Sequence, residues 1–69
     1  MAAQELLRLE KFLRKVTQIE LSRATGLSQS TISRIERGLR PVKPEERAAI
    51  ARVLGLPPAD LFPAQEAQP

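Results

Sequence analysis

Apolar side chains recur at helical spacing in two long parts of this chain. The first part runs from Ala2 to Lys15 without glycine or proline, and its apolar positions are Leu6, Leu9, Phe12, Leu13 and, just beyond, Val16. Spacings of three and four residues place side chains on one side of a helix, so they predict helix one, while its register remains open. A fourth helix is predicted from Pro44 to Gly55 by Ala48, Ile50, Ala51, Val53 and Leu54.

Two capping signals follow each other between these helices. Thr17 stands three residues before Glu20, which is the spacing of a capping box, and predicts helix two from Gln18 to about Thr25. Ser28 repeats the signal and predicts helix three from 29 to about 37. Gly26 and Gly38 suit the left-handed residue that ends a helix. Two helices joined by a turn of about three residues form a helix-turn-helix arrangement.

The rest of the chain completes a small domain. Residues 39–43 read as a basic loop, and Pro57–Pro58 begins a short helical turn that packs Leu61 and Phe62 on the domain. We therefore predict an all-α fold, a compact five-helix domain over residues 1–62 with a central helix-turn-helix. Residues 63–69 are too poor in apolar side chains to pack and predict a disordered tail.

Composition excludes several classes of function. The 69 residues include no cysteine and no histidine, so disulfides, thiolate metal sites and the usual general base are all missing. We expect no enzymatic activity, no metal and no cofactor. No apolar run is long enough for a membrane span and no secretion signal precedes the domain, so we expect a cytoplasmic protein.

Charge is distributed unevenly along the chain. Residues 1–43 carry a balance of +5 and residues 44–69 a balance of −2, which gives the net charge of +3. A basic half indicates an anionic partner, although basicity alone does not identify it.

Helix three has two different faces when its residues are placed at about 100° per residue. Ile32 and Ile35 lie on one side, with Glu36 at the edge. The other side carries only small or hydrogen-bonding side chains and no acid: Gln29, Ser30, Ser33, Arg34 and Arg37. An ordinary solvent-exposed face is the alternative, but such faces usually mix both signs of charge. Amide and guanidinium groups instead suit base edges in the major groove.

At this point the stretch TQIELSRATGLSQSTISRIERG resembles the Cro and phage-repressor type of helix-turn-helix, also called the XRE family. The matching positions are Thr17-Gln18, Leu21-Ser22, Gly26, Ser28, Ile32 with Ile35, and Glu36-Arg37-Gly38. The downstream AAIARVLGLPPADLF is similar to the family's fourth and fifth helices, so the resemblance covers roughly residues 7–62.

The resemblance implies a DNA-binding domain that inserts helix three into the major groove. It implies base reading by Gln29, Ser30, Ser33 and Arg34. Together with the basic residues nearby, it implies phosphate binding by Gln18, Arg23, Ser28, Arg37, Arg40 and Lys43.

Several positions depart from the family pattern, among them Ser22, where many members have another small residue, alanine. Many members have glycine where this chain has Lys15, so the lysine is expected to be left-handed unless helix one ends differently. Many members also have an arginine at the position of Lys11, paired with the residue at the position of Glu36. Lys11 can form this pair, but it cannot form the bidentate fork of an arginine.

The function expected from these observations is that of a sequence-specific regulator of transcription, a repressor, which binds double-stranded DNA as a homodimer. The alternative is a protein-interaction module, such as an antitoxin-like regulator, which uses the same fold to bind a protein partner. Leu39 and Val42, or Leu61 and Phe62, are the candidate surface for such a partner, but the preferred interpretation is that these side chains complete the core or a homodimer contact. The dimer contact is expected in the loop 39–43 or the C-terminal segment.

Overall fold

The computed structural model describes residues 4–63, and the regular elements in this range are five helices. They are α1 (Glu5–Leu13), α2 (Gln18–Thr25), α3 (Gln29–Glu36), α4 (Pro44–Leu54) and α5 (Pro58–Leu61). The predicted all-α, five-helix fold is confirmed. Of the predicted tail, only Pro63 is described, and residues 64–69 lie outside the described range.

The core lies where α2, α4 and α5 meet the inner faces of α1 and α3. Its fully buried large side chains come from every helix and from the residue after α5: Leu7, Leu21, Ile32, Ile35, Ile50, Leu61 and Phe62. Val16, Leu27, Val53 and Leu56 pack around this core and are partly buried. Burial of each large aliphatic side chain contributes about 1.5–3 kcal/mol, and these contributions hold a domain whose sequence contains no cysteine for a disulfide.

The capping signals were predicted correctly. Thr17 accepts a hydrogen bond from the Glu20 amide at 3.1 Å, and the Glu20 carboxylate accepts one from the Thr17 amide at 3.2 Å. Gly26 ends α2 with φ 81°, a left-handed conformation that glycine adopts without strain. These signals lie within a few residues of each other, which is why the sequence reveals them without knowledge of the fold.

Most of the apolar positions that predicted helix one lie on the exposed side of α1. Leu7 is the fully buried residue of this helix, whereas Leu6 is 40% exposed, Leu9 50%, Phe12 73% and Leu13 62%. The reason is a contact with α3 that periodicity does not show. The Lys11 ammonium donates to the Glu36 carboxylate at 2.7 Å, and the Gln4 amide donates to the Glu36 carbonyl at 3.0 Å. These bonds orient α1 so that the side carrying Lys11 faces the core. Leu7 lies one turn earlier on the same side, so it is buried as well.

Lys15 adopts the left-handed conformation that its position required. Its φ is 57°, and it is the non-glycine residue with positive φ within residues 4–63. The Val16 amide donates to the Lys11 carbonyl at 2.9 Å and the Lys15 amide to the Phe12 carbonyl at 3.1 Å. This hydrogen-bond pattern is the Schellman motif, which normally has glycine at the left-handed position.

Candidate nucleic-acid interface

α3 separates a buried face from an exposed one. Ile32 and Ile35 are fully buried, and Glu36 is 4% exposed. On the opposite side Gln29, Ser30 and Arg34 are exposed, as is Arg37 directly after the helix, while Ser33 is half-buried. The structure therefore brings the five side chains of the predicted outward face together on one side of α3. This side has no carboxylate, and its serines are short enough for a close approach to another molecule.

The turn between α2 and α3 is held by side-chain hydroxyls. Ser22 on α2 donates a hydrogen bond to the Leu27 carbonyl in the turn. Thr25 donates to the Leu21 carbonyl at 2.7 Å and accepts from the Leu27 amide at 3.2 Å. Leu27 itself is partly buried against the core. These contacts give the backbone groups of the turn partners inside the protein, so that α3 is held at a defined angle to α2.

Three hydroxyls meet at the N-terminus of α3. Ser28 accepts from the Thr31 amide at 3.1 Å, which makes it the N-cap, and donates to the Thr31 hydroxyl at 2.8 Å. The Ser30 hydroxyl lies 3.2 Å from that of Ser28. Ser28, predicted to bind phosphate, is thus already engaged as the helix cap. Its position still places it at a helix end whose first amides attract anions.

The predicted phosphate-binding cations divide into two groups. Arg23, Arg37 and Lys43 are exposed, and no carboxylate among residues 4–63 forms a salt bridge with any of them. Arg40 is different, because its two terminal nitrogens donate to the two carboxylate oxygens of Glu46, each at 2.8 Å. The Arg40 guanidinium is therefore already paired within the protein. Gln18, the remaining predicted phosphate ligand, is half-buried at the first position of α2.

Glu46 organises the loop between α3 and α4. Besides the two bonds from Arg40, its carboxylate accepts one from the Lys43 amide at 2.9 Å. The hydrogen bonds from Arg40, with a smaller contribution from the Lys43 amide, lower the pKa of Glu46 to about 2 against the opposing effect of burial. Sequence reasoning missed this residue. The available signal was a glutamate at the third position of α4, where it can reach back to the amide that precedes the helix.

The C-terminal end of α3 is fixed by α1. The Glu36 carboxylate accepts both contacts from Lys11, at 2.8 and 2.7 Å, and the Glu36 carbonyl accepts the Gln4 amide. After Glu36 the chain closes α3 with a Schellman motif, since the Leu39 amide donates to the Arg34 carbonyl at 2.9 Å. The turn after α2 positions one end of the exposed face, and the contacts of Glu36 position the other end.

Comparison with protein families identifies this arrangement. The sequence model of the helix-turn-helix family matches residues 5–61. The chain belongs to the Cro and phage-repressor type of helix-turn-helix proteins. It shows no significant similarity to a curated protein or to a solved structure.

Membership of this helix-turn-helix family makes the chain a DNA-binding domain with a fold of the lambda-repressor type. α2 and α3 are its helix-turn-helix pair. None of the helices within residues 4–63 has the length and hydropathy needed to cross a membrane. The same residues contain no cluster of acidic side chains that could hold a metal ion.

Proposed function

We propose that this helix-turn-helix protein is a sequence-specific transcriptional repressor, which binds double-stranded DNA in the cytoplasm as a homodimer. Family membership supports DNA binding. The observation that carries the finer proposal is the outward face of α3, where amide, hydroxyl and guanidinium groups occur without a carboxylate. Ile32 and Ile35 hold the opposite face in the core, so this face is free to enter a groove.

Base reading is assigned to four side chains of that face, Gln29, Ser30, Ser33 and Arg34. Arg34 can donate two hydrogen bonds to guanine, and Gln29 can exchange two with adenine. Ser30 and Ser33 are short, so they let the helix approach the base edges closely. The exposed cations Arg23, Arg37 and Lys43 supply phosphate contacts, which position the domain without reading sequence.

The test is selection of bound duplexes from a random library, followed by binding of the Arg34→Ala variant to the selected site. We expect the variant to lose about 1–3 kcal/mol of binding free energy and to lose preference at one base pair. Arg52→Ala, which removes an equally charged and exposed residue on α4, is the matched control and should change neither. If Arg34→Ala kept both affinity and preference, the assignment of the reading residues would be incorrect.

The alternative function is a protein-interaction module, and most of the residues predicted for its binding surface are buried. Val42 is 5% exposed, Leu61 1% and Phe62 0%, so these three side chains belong to the core. Leu39 alone among the four candidates is exposed. Selection that enriched no DNA sequence even at low salt would nevertheless favour a protein partner over DNA.

A further inference from the structure

α1 exposes a large apolar surface on its outward side. Its outward side carries four large side chains that are 40–73% exposed, and we call this set the α1 stripe: Leu6, Leu9, Phe12 and Leu13. These four side chains are exposed because Leu7 and Lys11, on the opposite side of the helix, face the core. The stripe takes no part in the DNA-binding face of α3.

The exposed area has the size of a dimer contact. Phe12 alone presents on the order of 150 Å², and the whole stripe presents roughly 400 Å² of apolar surface. One partner in a standard interface contributes about 800 Å², of which a little more than half is non-polar. The stripe therefore matches the non-polar part of one partner's contribution, and the charged residues around it can supply the polar rim.

The spacing within the stripe suits a copy of the same helix. Leu6, Leu9 and Leu13 are separated by three and then four residues, which is the spacing of the seam between two paired helices. A two-fold interface uses the same patch on both copies, so a patch that pairs with itself needs no other partner.

Charge selects the direction of pairing. In a parallel pair Glu5 of one copy would face Glu10 of the other, five residues further along, and like charges would repel each other. In an antiparallel pair Glu5 lies near the basic end of the second helix, which carries the exposed Lys15 and also Arg14, whose guanidinium pairs with Glu10 of its own helix at 3.1 Å. The antiparallel pair also sets the two helix dipoles in opposite directions.

We propose that two copies of this chain pair through the α1 stripe in antiparallel orientation, with Leu6 of each copy against Leu13 of the other. This interface replaces the loop 39–43 and the C-terminal segment as the dimer contact. It specifies the homodimer of the proposed function, but it can be tested without DNA.

Sedimentation equilibrium of the full chain gives the first test. The wild-type chain should dimerise at micromolar concentration, and Leu9→Glu should raise the dissociation constant by about 100-fold or more, because the charge would be buried at the centre of the interface. Ala48→Glu, at an exposed position of α4, is the control and should dimerise like the wild type. Circular dichroism should show that both variants keep their helices. A wild-type chain that stays monomeric at hundreds of micromolar, or a Leu9→Glu chain that dimerises normally, would overturn the proposal.

Cross-linking tests the orientation. The chain has no cysteine, so single substitutions report one position each. A mixture of Leu6→Cys and Leu13→Cys chains should oxidise mainly to the mixed disulfide. Ala48→Cys should not cross-link above the background of random collision. Rapid formation of a Leu6→Cys disulfide with itself would indicate a parallel pair and contradict the proposed geometry.

The same variants separate this interface from the DNA-binding function. Leu9→Glu should still prefer the selected half-site, but it should lose the tighter binding to two half-sites. If the chain dimerised through α1 but bound no DNA sequence preferentially, the proposed DNA-binding function would be contradicted and the proposed interface would be supported. If Leu9→Glu bound two half-sites as cooperatively as the wild type, the interface proposal would fail alone.

Discussion

Lys15 is a residue held in a conformation that its side chain disfavours. Its φ of 57° costs an L-residue about 1–2 kcal/mol, and glycine avoids this cost at the expense of a more flexible unfolded chain. We therefore expect Lys15→Gly to raise the free energy of unfolding by about 0.5–1 kcal/mol. Urea denaturation measures the change. Lys15→Ala removes the charge but keeps the strain, so a similar gain from alanine would contradict this explanation.

Glu46 makes stability depend on pH in the acidic range. Its pKa is about 2 in the folded protein, below the ordinary value of 4.5, because Arg40 and the Lys43 amide donate to the carboxylate. A depressed folded pKa stabilises the protein above the unfolded pKa. This stabilisation is lost as the pH falls from about 4.5 toward 2.

Thermal unfolding of wild type and Glu46→Gln between pH 7 and pH 2 measures this contribution. The wild type should be more stable at pH 7, and the difference should shrink below pH 4.5 as Glu46 gains a proton. Glu45→Gln, at the exposed neighbouring position, should show no such convergence. A difference that stayed constant across this range would show that the carboxylate charge is not the source of the stability.

A largely buried ion pair joins α1 to α3. Glu36 is 4% exposed, and its carboxylate receives the Lys11 ammonium, whose side chain is 16% exposed. Lys11→Met leaves this carboxylate without its charged donor, so we expect a loss of about 2 kcal/mol in the free energy of unfolding. Chemical denaturation measures it, and a cycle that adds Glu36→Gln isolates the pair. The double variant should recover part of the loss, and additive losses would contradict a direct interaction.

The elements differ in how far the sequence predicted them. α2 and α3 were predicted nearly to the residue, since their caps and left-handed glycines are local signals. The buried side of α1 was not, because its choice depends on Glu36, which lies 25 positions beyond Lys11 in the chain. Apolar spacing predicted the helix itself, but the more regular apolar side turned out to face solvent.

Across the whole molecule, the exposed cations predict how DNA binding responds to salt. Arg23, Arg37 and Lys43 form no salt bridge within residues 4–63, so a dimer would bring about six such charges to the phosphates. Counterion release then predicts a slope of about −5 for log affinity against log salt. Fluorescence anisotropy of a labelled duplex measures this slope.

Substitutions of single arginines test which cations contribute to that slope. Arg37→Ala should make the slope of a dimer shallower by about two, one for each copy. Arg40→Ala should change the slope less, because Glu46 already balances its charge at 2.8 Å. An equal effect of both substitutions would mean that DNA displaces Glu46 from Arg40.

The sequence by itself determined the number and order of the helices, the turn between α2 and α3, and the acid-free face of α3. Each depends on residues within one or two turns of each other, where spacing controls geometry. Only the tertiary structure decided which side of α1 is buried, that Arg40 is held by Glu46, and that Val42 belongs to the core. Those outcomes depend on contacts between residues distant in the chain or on packing of the whole domain, which no local pattern encodes.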